Sequence, residues 1–134
     1  MLYLDTSAFL KLIVDEAHSP DLRRALSGLT PWSSVLLDVE AHRAGRRLGL
    51  DAWDVAEALD AVSLISPSES TFATARTLGP DTLRTLDALH LATALELGAD
   101  LEAVVAYDRR LAQGCDETDI AVVTPGRTER WWRS

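Results

Sequence analysis

The chain has 134 residues, 47% of them hydrophobic, and a formal net charge of −8 at pH 7, which fits one packed domain spanning residues 1–134 and excludes an intrinsically disordered chain. No apolar run approaches the roughly 18 residues that cross a bilayer, and Met1 to Asp5 lacks the basic start of a secretory signal. The single cysteine, Cys115, can close neither an intramolecular disulfide nor a structural zinc site, so a cytoplasmic protein without a membrane segment is expected.

Leu2 to Leu4 is a short apolar run that ends in Asp5, and Thr6 or Ser7 is placed to cap a helix through about Val14. A second helix is predicted from about Pro20 to Leu26, closed by Gly28. Pro31 to Ser34 reads as a strand that leads into a helix from about Val35 to Leu48, ended by Gly49. Asp51 caps a further helix to about Leu59. Val62 to Ile65 is a strand, after which Ser66-Pro67 opens a helix to about Leu78. Gly79-Pro80-Asp81 breaks the chain, and the next helix runs from about Thr82 to Leu97. Ala103 to Ala106 is a strand followed by Tyr107-Asp108 and a short helix, and Ile120 to Val123 is the last strand. Five short apolar runs alternating with helices predict an α/β fold, a central and mainly parallel sheet with helices on both faces. The crossovers are then right-handed, while the strand order stays open.

In such sheets ligands bind beyond the carboxyl ends of the strands. Asp5 and Asp108 each follow a strand directly or nearly so and should emerge at one edge. Either alone reads more simply as a helix cap. Asp87 lies four residues after Leu83 and four before Leu91, on or beside the expected buried stripe of its helix, where a lone carboxylate costs several kcal/mol unless paired. The plainer alternative is an ion pair with Arg84. Glu40 falls in the helix after the second strand, at the same sheet edge, with Arg43 and Arg47 as alternative partners.

Four carboxylates at one edge repel by about 4 kcal/mol per pair at about 4 Å and an effective dielectric near 20. They persist if cations or protons neutralise them. Oxygen ligation suits Mg²⁺ or Mn²⁺, ions that also bind phosphate and activate water, which points to hydrolysis of phosphodiesters. The charge of −8 argues against a nucleic-acid partner only until half of it is assigned to four acids and cancelled by two divalent cations. Arginine placement then matters more.

The sequence Leu4-Asp5-Thr6-Ser7-Ala8, the segment Arg84-Thr85-Leu86-Asp87-Ala88-Leu89-His90-Leu91-Ala92-Thr93-Ala94, the run Tyr107-Asp108-Arg109-Arg110-Leu111 and the pair Val39-Glu40 resemble the motifs of PIN-domain toxins of the VapC type. The resemblance spans nearly the whole chain. It implies a PIN-like three-layer fold and a Mg²⁺- or Mn²⁺-dependent endoribonuclease acting on RNA, often tRNA or rRNA. It implies Asp5, Glu40, Asp87 and Asp108 as the catalytic and metal-binding acids, with Thr6 or Ser7 as the hydroxyl beside the first acid. It further implies a homodimer and a cognate VapB-type antitoxin that covers or enters the site. Tyr107 departs from the pattern, standing where many relatives have Thr or Ser.

The remaining residues divide more plainly. His90 is expected as a packed core histidine, His18 and His42 as surface residues, and Cys115 as a buried or indifferent thiol. Lys11 could reach a phosphate, although a solvated position is the simpler reading, and Arg43, Arg46 and Arg47 could grip an RNA backbone or form a solvated helix face. The tail Arg127 to Arg133 interleaves arginine with Trp131 and Trp132, a pattern suited to phosphate and base contacts or, more simply, to docking of the tryptophans on the core. A phosphatase built on a nucleophilic aspartate would carry Asp-x-Asp, but the third position here is Ser7. A phosphoacceptor signalling domain would need a late lysine, and Lys11 is the only lysine. A catalytically weak PIN-like binding module is the third alternative.

Overall fold

The structure is a computed structural model that describes residues 1–133. The strands are β1 (Leu2–Leu4), β2 (Trp32–Ser34), β3 (Ser63–Ile65), β4 (Ala103–Val105) and β5 (Val122–Val123). The helices are α1 (Thr6–Ile13), α2 (Ser19–Leu26), α3 (Leu36–Leu48), α4 (Ala52–Leu59), α5 (Glu69–Ala75), α6 (Thr85–Leu95) and α7 (Arg109–Glu117), joined by short 3₁₀ turns at Gly98–Asp100 and Trp131–Arg133. All five strands run parallel in the order β3-β2-β1-β4-β5. The fold is therefore the expected α/β architecture.

Because side chains alternate along a strand, the sheet builds two cores. Leu4 and Val105 join Ala8, Phe9, Leu22, Leu37, Ala41, Val55 and Leu59 on the face covered by α1 to α4. Tyr3, Val104 and Ala106 join Leu91, Ala94, Leu111 and Cys115 on the face covered by α6 and α7. Cys115 is thus buried, as expected, and its burial pushes the thiol pKa up to about 12. The chain steps outward from β1 to β2 to β3, then returns to lay β4 on the other side of β1. Right-handed crossovers in opposite directions deposit helices on opposite faces, which gives the three layers.

Helix starts differ from expectation in informative places. Asp5, not Thr6 or Ser7, caps α1. Helix α5 starts later than Ser66-Pro67, because Ser68 and Thr71 form a capping box. Helix α6 starts at Thr85 and not Thr82, because Leu83 N–H turns back to the carbonyl of Pro80 (2.8 Å). Helix α3 ends where expected, at Gly49, whose φ of +73° suits a residue without a Cβ.

The tail tryptophans dock on the core, the simpler of the two readings. Trp131 and Trp132 are buried against Ala112 and Val122, and the Trp131 indole N–H donates to Thr124 Oγ1 (2.8 Å). Among the described residues, no helix is long and apolar enough to cross a membrane.

Candidate active site

The strand order reverses between β1 and β4, and the crevice beyond the carboxyl ends of strands at such a reversal is where open α/β sheets bind ligands. Leu4 pairs in register with Val105, and the next backbone N–H, that of Asp5, donates to the Val105 carbonyl (3.2 Å). Asp5 and the segment leading to Asp108 therefore leave the sheet side by side.

Asp5 is 4% exposed. Its Oδ1 accepts from Ala8 N–H (2.8 Å), and Ser7 Oγ lies 2.7 Å from both carboxylate oxygens. Burial pushes its pKa up to about 6, against the lowering pull of the Ser7 and Ala8 hydrogen bonds and of nearby His90, while Asp108 pushes the same way as burial. Asp108 caps α7, its Oδ2 accepting from Leu111 N–H (2.9 Å). Both acids are thus helix caps, the plainer reading of each. The topology nonetheless puts the two caps at one switch point.

Asp87 lies beside the buried stripe, as expected: it is half-buried on the face of buried His90 and Leu91, while Leu86 next to it is 47% exposed. With α6 starting at Thr85, Asp87 falls in the first turn, at the rim of the sheet edge, where the helix N-terminus favours a negative charge. Desolvation raises its pKa first, then the charge of Asp108 and, more weakly, that of Glu40, while His90 and Arg84 oppose. Arg84 acts through its charge, with no ion pair to Asp87 among the described residues. Glu40 reaches in from α3 on the other layer. Its Oε1 sits 2.5 Å from His90 Nε2, so its partner is neither Arg43 nor Arg47.

His90 makes the contact to the candidate site that the sequence reading missed. It is buried as expected, but it also contacts an acid. Its place three residues after Asp87, on the same helix face, was the available signal. Thr6 Oγ1 contacts His90 Nε2 (3.3 Å) and Ser7 holds Asp5, so the two hydroxyls have different tasks. The Tyr107 hydroxyl donates to the Pro125 carbonyl (2.7 Å), while the Tyr107 backbone N–H donates to Ser7 Oγ (2.9 Å).

Lys11 is not solvated. It pairs with Glu16 (3.2 Å), is 14% exposed, and lies over the Tyr107 ring. Arg43, Arg46 and Arg47 are exposed on α3. Arg43 and Arg47 follow Glu40 by three and seven residues, on the same helix face. His18 and His42 are each partly covered and not fully at the surface, His18 stacking on Tyr107.

Electrostatically, then, the charge of Asp108 acts on both Asp5 and Asp87 and that of Glu40 acts on Asp87, while burial raises the pKa of Asp5 and of Asp87. Such a set of oxygen donors suits a hard divalent cation, which would relieve both the burial and the repulsion. Among the described residues, no group of three His, Cys, Asp or Glu side chains is already arranged as a metal site, so the donor chemistry and the shared charge support the fit, not a finished cage. A cavity of about 740 Å³ lies elsewhere, between α5 and α6, and none of the four acids lines it.

Comparison with known proteins agrees with this layout. A family model for the PIN domain matches residues 2–116. The chain is 37% identical over 133 residues to "Ribonuclease VapC47" of Mycobacterium tuberculosis (strain CDC 1551 / Oshkosh), covering 94% of this chain and 98% of that protein. It is 40% identical over 126 residues to "Ribonuclease VapC46" of Mycobacterium tuberculosis (strain ATCC 25618 / H37Rv), covering 92% and 97%. It is also 40% identical over 136 residues to "Ribonuclease VapC35" of Mycobacterium tuberculosis (strain CDC 1551 / Oshkosh), covering 95% and 98%.

Proposed function

Since the chain belongs to the PIN-domain family and to its VapC-type ribonucleases, we propose that it is a Mg²⁺- or Mn²⁺-dependent endoribonuclease and the toxin of a toxin–antitoxin pair. The observation that carries this reading is the emergence of Asp5 and Asp108 at the β1/β4 switch point, with Asp108 acting on Asp87 of one layer and Asp87 in turn facing the charge of Glu40 from the other.

In this reading Asp5 and Asp87 are direct ligands, and Glu40 and Asp108 complete the site or orient water. The bound cation supplies a Lewis acid for the phosphoryl oxygen and lowers the pKa of water. The chain's own residues do the rest. Ser7 donates its hydroxyl hydrogen to the Asp5 carboxylate. Asp108 stays in register through its cap on α7. Arg43, Arg46 and Arg47 offer positive charge on α3 for the RNA backbone, which positions substrate without reading bases.

The substrate class is a structured RNA, tRNA or rRNA. The partners are a VapB-type antitoxin and a second copy of the chain, for which the exposed apolar side chains of Val39, Phe72 and Leu86 supply surface. The protein works in the cytoplasm in this reading.

Induced expression without an antitoxin tests it. Wild-type protein is expected to arrest growth and to leave RNA fragments with new, sequenceable ends. The Asp87→Asn variant, made to the same level, is expected to do neither. Equal tolerance of both proteins would contradict the toxin reading.

A further inference from the structure

His90 is 2% exposed, and both of its ring nitrogens are engaged. Nδ1 lies 2.8 Å from the Tyr3 hydroxyl. Nε2 lies 2.5 Å from Glu40 Oε1 and 3.3 Å from Thr6 Oγ1. An ionised carboxylate only accepts, so Nε2 carries the hydrogen that Glu40 receives. In the neutral ring Nδ1 then accepts from the Tyr3 O–H. The Glu40 carboxylate therefore sets the tautomer, and the Tyr3 hydroxyl, which can donate as well as accept, matches it by donating to Nδ1.

The four groups in this chain come from four elements. Tyr3 lies on β1 two residues before Asp5, and Thr6 follows Asp5 directly. Glu40 is on α3, in the layer opposite α6. His90 is on α6, three residues past Asp87 and on its face. One imidazole thus ties together every segment that bears Asp5, Glu40 and Asp87. Glu40 is 22% exposed and holds its place through this one hydrogen bond, with no arginine beside it in an ion pair among the described residues.

We propose that His90, held at Nδ1 by Tyr3, is a positioning residue that fixes the Glu40 carboxylate toward Asp5 and Asp87 and so builds the cation site. The inference rests on the metal-dependent reading above. Groups that orient metal ligands in this way are worth about 10- to 100-fold in metal affinity or activity.

Nitrogen-15 NMR of histidine-labelled, metal-free protein reads the tautomer directly. Hydrogen on Nε2 of His90 is expected, and a bare Nε2 with hydrogen on Nδ1 would overturn the proposal. Calorimetric titration with Mn²⁺ alone, in the absence of RNA, then compares variants whose melting curves are recorded alongside. His90→Leu is expected to bind Mn²⁺ about 10- to 100-fold more weakly. His90→Gln, which keeps a donor near the Nε2 position, is expected to recover most of that loss. In a Glu40→Gln background, His90→Leu is expected to add little, because the carboxylate that His90 positions is already gone.

Wild-type affinity in a folded His90→Leu variant, or a loss that adds in full to that of Glu40→Gln, would overturn the proposal. Should His90→Leu fail to fold, His90→Gln decides: affinity as poor as that of Glu40→Gln would overturn it. Wild-type protein that binds no Mn²⁺ would instead overturn the metal reading itself.

Discussion

Ser7 Oγ lies 2.7 Å from each carboxylate oxygen of Asp5. One hydroxyl has one hydrogen, so at any instant it donates to one oxygen and stands against the other. The same Ser7 oxygen accepts from the Tyr107 backbone N–H (2.9 Å). The first acid of the site is thereby pinned to the loop between β4 and Asp108, and the separation of the two acids is set by a side chain that belongs to neither.

Replacing that hydroxyl is expected to cost stability and to alter the site together. Ser7→Ala leaves the Tyr107 N–H without its acceptor and Asp5 with only the Ala8 N–H donating to it, a loss of about 1–3 kcal/mol for buried groups left unpaired. Denaturant unfolding of the two proteins measures it. The pKa of Asp5 should rise further, since the Ser7 bond now lowers it. Unchanged stability would show that water replaces Ser7 at no cost.

Asp5 also predicts how metal-free stability depends on pH. Its folded pKa of about 6 lies above the ordinary 3.8, so the folded state holds the proton more tightly than the unfolded chain. The sign follows from linkage: this contribution is fully present below pH 3.8 and is lost as pH rises through about 6. The gap is worth about 3 kcal/mol. In EDTA at pH 7.5, Asp5→Asn should therefore be more stable than wild type, and at pH 4 the advantage should vanish. Mg²⁺ should raise the melting temperature of wild type at pH 7.5 and much less at pH 5, where protons compete for the site. A pH-independent difference between the two proteins would contradict the burial of an ionisable Asp5.

The tail has a mechanical role that truncation reveals. Trp131 is 8% exposed and its indole N–H is bonded to Thr124. Arg127 lies 4.0 Å from its ring centroid. Trp131→Ala should cost about 3–5 kcal/mol and lower the melting temperature by roughly 10 °C or more. A shift of a degree or two would mean that the tail merely lies on the surface.

Local patterning made much of this fold legible. Five apolar runs alternating with capped helices left few options besides a layered α/β sheet, and Asp5 and Asp108 could be placed at its edge because each follows a strand. Strand order was not legible, since pairing β1 with both β2 and β4 depends on contacts roughly thirty and one hundred residues apart. The face of Asp87 was legible, but its place along the helix was not. Thr82 and Leu83 extend the helical period, but a turn closed by Leu83 on Pro80 delays α6 to Thr85. That later start puts Asp87 in the first turn, still on the face of buried His90 and Leu91. His90 read correctly as buried, yet its partner Glu40 lies 50 residues away in another layer. No periodicity in α6 points to α3. The ribonuclease reading came from motifs taken together, since a carboxylate after a strand is as often a cap as a ligand, and here both are caps.

Cleavage of purified total tRNA and rRNA by the purified protein is the most direct test. Parallel reactions contain Mg²⁺, Mn²⁺ or EDTA, with Asp5→Ala and Asp87→Ala proteins prepared the same way. Discrete fragments are expected with wild type and either metal, and none with EDTA or with either variant. Equal cleavage by wild type and variants, or cleavage that persists in EDTA, would contradict the claim that these acids hold the cation that cuts RNA.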